Sequence, residues 1–327
     1  MKKTLLIAVL LIAFCLMTNV FAAGVAKIGT NDYSTLSEAI TAAGSSATTI
    51  TLTQDISLDS KLSFPKGCNI TLDLNGKTLN VPTVENNYGI VVLGTLTIKG
   101  DGTVNLGMYG IGVGTTGNLT IESGTYKCLT GDYLLGCWNK AVIKGGLFDG
   151  NYCIANGFEN GTIEILDGTF YSKESTIILG NTKIFSGTFN QDVDAYLADG
   201  IEMNKYNGLY FTGKEYKITV ETSKNGTIST LSEAIEEQPV KITVSPNKGY
   251  EVNEIKVMDA NNKLIAISQG EFVMPASDVT ITSTFDAIGL DKTPTTGNTN
   301  PLFLISIIIA VFSLISIITI KISLKKE

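Results

Sequence analysis

The sequence predicts an all-β chain: a right-handed parallel β-helix with about 22 residues per coil, then a small β-rich domain, then a C-terminal transmembrane helix. Three observations lead there. Glycines recur at 102, 124, 146, 168 and 187, each closing a short run that opens on isoleucine. Between these runs lie further short apolar segments that open on tyrosine. Two long stretches without charge occupy the extreme ends of the chain.

Residues 1–23 carry Lys2 and Lys3, an uncharged run from Thr4 to Val20, and small residues at Ala22 and Ala23. This is the pattern of a secretory signal peptide cleaved after Ala22 or Ala23. Cys15 follows Phe14, where a lipoprotein signal requires a small residue, so lipid anchoring is rejected. Residues 24–47 form the N-terminal cap of the solenoid, which covers strand edges that would otherwise stay unpaired. Within it Thr35-Leu36-Ser37-Glu38 reads as a capping box, and Leu36, Ala39, Ile40 and Ala43 fall on one face of a short helix over 34–43.

The β-helix occupies 48–212. Ile121-Glu122-Ser123-Gly124-Thr125-Tyr126 recurs as Ile143 to Phe148, Ile165 to Phe170 and Ile184 to Phe189, and Ile98 to Val104 is an earlier copy with one extra residue. The glycine spacings are 22, 22, 22 and 19. Short β-branched strands with Gly and Asn at the corners build one coil of two or three strands in such a period. A doubly wound sheet is excluded because no amphipathic helix fits between the repeats, and the leucine-rich pattern is absent. About seven coils are expected. The opening segment, Val25 to Thr30, Thr35 to Ile40, Ile50-Thr51-Leu52 and Leu72 to Lys77, is similar to the start of β-helix regions in surface proteins of gut Firmicutes. That resemblance implies a pectate-lyase-like fold and says more about architecture than about activity.

Residues 213–286 lose the period and read as strands at Tyr216–Glu221, Val240–Ser245, Ile255–Met258, Leu264–Ser268 and Val279–Phe285, with Asn225-Gly226 as a hairpin turn. Asn247 to Val252 and Phe272-Val273-Met274-Pro275 through Asp278-Val279-Thr280-Ile281 resemble the divergent B-repeat domain of Listeria-type internalin surface proteins. The resemblance implies a stalk or contact module without catalysis. Ser-Thr-Leu-Ser-Glu-Ala-Ile occurs at both 34–40 and 229–235, and the helix is not transferred to the second copy, where the family has a strand and loop.

Residues 287–301 are a Thr/Asn/Pro/Gly-rich spacer. Leu302 to Ile320 is 19 residues without charge, roughly 28 Å as a helix and close to the ~30 Å hydrocarbon core. Lys321, Lys325 and Lys326 in the tail 321–327 place that tail in the cytoplasm and everything upstream outside. Thr293-Pro294-Thr295-Thr296-Gly297, followed by the apolar span and basic tail, resembles the sorting signal of Gram-positive wall proteins. The resemblance implies sortase cleavage between Thr296 and Gly297 and attachment to peptidoglycan, although Thr293 stands where the usual pattern has leucine. A plain single-span membrane anchor is the alternative.

The chain has no histidine, and all 24 of its basic residues are lysine. That excludes His-based triads, His zinc sites and arginine clamps. Setting aside Lys2, Lys3, Lys321, Lys325, Lys326 and Glu327, the 24 Lys and 31 acids reduce to 19 Lys and 30 acids, a net charge of −11 on the exported part. Such a surface repels nucleic acid.

The candidate catalytic carboxylates in the coils are Asp101, Asp132, Asp149 and Asp167. Asp101 and Asp167 are three coils apart, about 14 Å at ~4.8 Å per coil, too far for either a retaining or an inverting glycosidase pair. No catalytic residue, metal ligand or cofactor is assigned. Lys99, Glu122 and Lys144 form an exposed ladder of alternating sign. Tyr126, Phe148, Phe170 and Phe189 share one coil position and are expected to fill the interior, the alternative being an outward ladder for sugar rings. Tyr88, Tyr109, Tyr133 and Tyr152 are the candidate ligand-facing aromatics. Cys68, Cys128, Cys137 and Cys153 read as small core residues, with a Cys128–Cys137 disulfide as the alternative. The expected function is adhesion or binding at the cell surface, to a glycan or host protein; a wall-attached polysaccharide lyase or hydrolase is the competing reading.

Overall fold

A computed structural model describes residues 24–289 apart from 129, 130, 132, 156–159, 178, 179 and 222. The segment 1–23 expected to be a signal peptide, the motif Thr293–Gly297, the segment 302–320 and Asp132 lie outside the described residues. Among the described residues no helix is long and apolar enough to cross a membrane.

The solenoid has three parallel sheets. In sheet I the strands Ala47–Leu52, Asn69–Asp73, Thr95–Lys99, Asn118–Ile121, Lys140–Ile143, Thr162–Ile165 and Asn181–Ile184 pair in sequence order. Seven strands make six coil-to-coil steps, of 19 to 26 residues and most often 22. Sheet II stacks Ile56–Ser57, Thr78–Asn80, Thr103–Leu106, Thr125–Cys128 and the first halves of Leu147–Ala155 and Thr169–Ile177, ending on Gly187–Phe189. Sheet III stacks Leu62–Phe64, Ile90–Val92, Tyr109–Val113 and Tyr133–Cys137 with the second halves of those two long strands, whose mutual register shifts between Gly150 and Tyr152.

The repeat arises because every coil must fill the same interior volume. Ile98, Ile121, Ile143, Ile165 and Ile184 form one column with no exposed surface. Tyr126, Phe148, Phe170 and Phe189 form a second, fully buried, with ring centroids 5.0, 4.7 and 4.9 Å apart and planes within 9°. The outward alternative for this column is thereby excluded. The repeat glycine has a backbone cause: Gly124, Gly146, Gly168 and Gly187 take φ of 110° to 143°, where a Cβ is strained.

Helix α1 (Leu36–Ala43) plugs the first coil with Leu36, Ala39, Ile40 and Ala43 buried. Thr35 Oγ1 accepts the Glu38 amide at 3.1 Å, as a capping residue should. The reciprocal half of the expected capping box is replaced: Glu38 Oε2 accepts a hydrogen bond from the Ser34 hydroxyl at 2.6 Å. At the far end parallel pairing stops at Phe189, which pairs antiparallel with Leu209–Gly213, itself hairpinned to Glu202–Tyr206. This hairpin terminates the ladder with strands of opposite direction.

The second domain has its own core, including Ile218, Val240, Val257, Phe272 and Ile281. Its main sheet runs Glu233–Ile235, Glu215–Val220, Val279–Ala287, Tyr250–Asp259 and Leu264–Ile265, with two small ladders beside it. The expected hairpin at Asn225-Gly226 is corrected. Asn225 does take a turn conformation at φ 72°, but the strand that follows, Gly226–Ser229, pairs with Thr243–Pro246 rather than with the strand before the turn. Gly226 is needed for a different reason: a Cβ there would sit 2.2 Å from the Phe285 ring.

Candidate functional site

The four candidate tyrosines come together where sheet II turns into sheet III. Tyr109 is in register with Tyr133, and Tyr133 with Tyr152; the Gly89 amide bonds the Tyr109 carbonyl at 2.8 Å and so brings Tyr88 into line. The next residues in three of these strands, Gly110, Leu134 and Cys153, are buried. Strand alternation at that corner therefore turns the tyrosines outward, and all four are half-buried.

Their rings form a ladder with centroid separations of 5.9, 6.1 and 5.6 Å and interplanar angles of 50°, 19° and 37°. These separations lie in the range of favourable aromatic pairs. Part of each ring is thus engaged by its neighbour, and the ladder offers ring edges and phenol groups rather than four open faces. Among the described residues none of the four hydroxyls has a hydrogen-bond partner.

Tyr88 differs from the other three. Its side chain lies across the strands of the next two coils: a Cβ at Gly112 would sit 2.5 Å from its Cγ, and one at Gly136 2.1 Å from its Oη. Only glycine at both positions lets the ring lie down. On its far side Trp138 meets it edge to face at 5.4 Å and 89°. Burial, followed by the proximity of Tyr133 and Tyr109, pushes the Tyr88 phenol up to about 12. The result is a continuous aromatic surface of five side chains over four successive coils, two of which carry the glycines under Tyr88.

Sequence reasoning missed Trp138, Gly112 and Gly136. A signal for Trp138 existed, since it is the single tryptophan of the chain and directly follows a repeat strand.

The remaining candidates have local explanations. Asp167 Oδ1 accepts the Gly168 amide at 2.7 Å, a turn contact, while Asp101 and Asp149 are exposed. No group of three or more acidic or cysteine side chains among the described residues could hold a metal ion. The charge ladder is present with different partners: Lys144 pairs with Glu122 at 3.2 Å, but Lys99 pairs back to Asp73 at 3.6 Å. These pairs are exposed and contribute little. Cys68, Cys128, Cys137 and Cys153 are buried thiols outside any disulfide, so the alternative Cys128–Cys137 disulfide is not formed. Burial pushes the Cys137 thiol up to about 11 and that of Cys153 to about 12, so neither is a thiolate at neutral pH.

Comparison with known families identifies the second domain. Residues 216–289 match the divergent InlB B-repeat domain family. Nothing matches among curated proteins or among solved structures. The chain thus joins a β-solenoid of about six turns to a B-repeat domain, the make-up of a surface-associated repeat protein.

Proposed function

We propose that the protein is a non-enzymatic binding protein displayed on a bacterial envelope, with the solenoid as its ligand-bearing part and the B-repeat domain as its spacer. Export would use residues 1–23, and tethering would use Thr293–Gly297 with the apolar segment 302–320. Sortase and peptidoglycan are then the partners at the C-terminus. The observation that carries the binding role is the aromatic surface of Tyr88, Tyr109, Tyr133, Tyr152 and Trp138, with its row of phenols that have no partner within the described residues. Aromatic side chains that keep an apolar body and a polar tip at the surface are the side chains that dominate binding interfaces. The ligand class is a glycan or host protein able to match ring edges and hydroxyls.

Two experiments test this. Residues 24–289, which contain both hydrophobic cores, are applied to glycan and matrix-protein arrays beside a Tyr133→Ala/Trp138→Ala variant. Retention of a ligand by the parent and its loss in the variant supports the proposal; identical binding by the two refutes the aromatic site. For tethering, Thr296→Ala is expected to release the protein from the wall fraction, and unchanged attachment after wall digestion and membrane extraction refutes covalent sorting.

A further inference from the structure

A cavity of about 570 Å³ opens between the terminal hairpin of the solenoid and the B-repeat domain, with Asn204 on one wall and Ser232, Gln238 and Lys241 on the other. The domains meet there through defined contacts. Tyr206 donates its hydroxyl hydrogen to Glu271 Oε1 at 2.5 Å, and Ile235 is fully buried beneath the cleft against Gly213.

Gln238 is the unusual residue. It is 3% exposed, and its Oε1 accepts both the Ile235 amide at 3.2 Å and Asn204 Nδ2 at 3.3 Å. The backbone donor fixes which terminal atom is oxygen. Gln238 lines the cavity, and with its oxygen already taken its NH2 is the end left for a ligand, having no partner among the described residues. The Gln238 Nε2 atom is not a buried orphan, so solvent reaches it and a ligand in the cleft can take over donors that water otherwise holds.

We propose that this cleft binds a short neutral saccharide, with the Gln238 NH2 donating to a sugar hydroxyl. Two features select that class. Lys205 and Lys241 balance Glu215 and Glu233 among the lining residues, so the cleft favours neither anion nor cation although the exported chain carries a net charge of −11. The remaining lining is rich in hydroxyl and amide groups, which suit a ligand whose hydroxyls donate and accept at adjacent positions. The site is separate from the tyrosine ladder and stands whether or not that ladder binds a ligand.

The test uses residues 24–289 with saturation-transfer NMR against glucose, galactose, N-acetylglucosamine and their β-linked disaccharides, with glucuronate and glucosamine as charged probes. A neutral sugar should bind, bind at least tenfold more weakly to Gln238→Leu, and fail to bind Ser232→Trp, whose side chain would fill the cleft from an exposed position without touching either core. Tyr88→Ala should bind it unchanged. Absence of any neutral binder, equal binding by Ser232→Trp, preference for a charged probe, or loss in Tyr88→Ala alone would each overturn the proposal.

Discussion

Replacing Phe170 by alanine separates the aromatics that build this molecule from those that face out of it. Phe170 is fully buried between Phe148 at 4.7 Å and Phe189 at 4.9 Å, with both ring planes within 6° of its own. Truncating such a side chain removes its transfer free energy and leaves a cavity inside a solenoid whose coils above and below hold the backbone in place. The expected cost is about 4 kcal/mol, near the middle of the range for Phe→Ala in cores. Tyr152, by contrast, is half-buried and makes one tilted ring contact at 5.6 Å, so Tyr152→Ala should cost about 1 kcal/mol. Equilibrium urea unfolding of residues 24–289, followed by circular dichroism, measures both. Equal costs for the two variants, or a loss below about 1 kcal/mol for Phe170→Ala, would refute the division into an interior column and an outward ladder.

Three further outcomes follow from single residues. Gly136→Val should drive the Tyr88 ring off the sheet, because its Cβ would sit 2.1 Å from Tyr88 Oη; spectrophotometric titration should then show the phenol that ionises at about 12 moving down toward the ordinary tyrosine range. Thr182 is 6% exposed with a hydroxyl that has no partner among the described residues, in register with Ile163, so Thr182→Val should stabilise the chain by about 1 kcal/mol in thermal or urea unfolding. The Glu237 carboxyl is raised above 4.5 by burial, then by Asp167 and Glu236. The folded state holds that proton more tightly than the unfolded chain, so its stability falls as pH rises from the ordinary glutamate range through the raised value. Glu237→Gln should remove that fall and raise Tm at neutral pH, and an unchanged pH profile would count against the carboxylate contact.

The solenoid was legible because its cause is local and repeated. Each coil places isoleucine, glycine and an aromatic at the same interior and corner positions, so a period of about 22 residues appears in the chain itself. The B-repeat domain was legible through the Gly249-Tyr250 and Phe272 to Ile281 segments. Much of the candidate site was not. That Tyr88 lies across Gly112 and Gly136 depends on residues 24 and 48 positions away, brought beneath its ring only by coiling. The cleft at Gln238 needs two domains and a turn in which Glu237 adopts φ 64°.

The duplicated heptapeptide marks the boundary between the two kinds of information. Ser34–Ile40 and Ser229–Ile235 are identical, with the same propensities and the same capping residues. The first copy forms α1 because Ala43 completes an apolar face that the open coil can bury, leaving Leu36 1% exposed. In the second copy the corresponding position is Gln238, Glu233–Ile235 pairs with Glu215–Lys217, Thr230 Oγ1 donates to the Lys241 carbonyl, and Leu231 is 46% exposed. The sequence by itself determined the coil period and which residues recur at each coil position, since these follow from what each strand must bury; burial in the folded coils decided that the phenylalanine column lies inside and the four tyrosines turn outward. Tertiary structure alone decided which heptapeptide became a helix, where Tyr88 came to rest and what the two domains enclose, because those outcomes rest on surfaces supplied by distant parts of the chain.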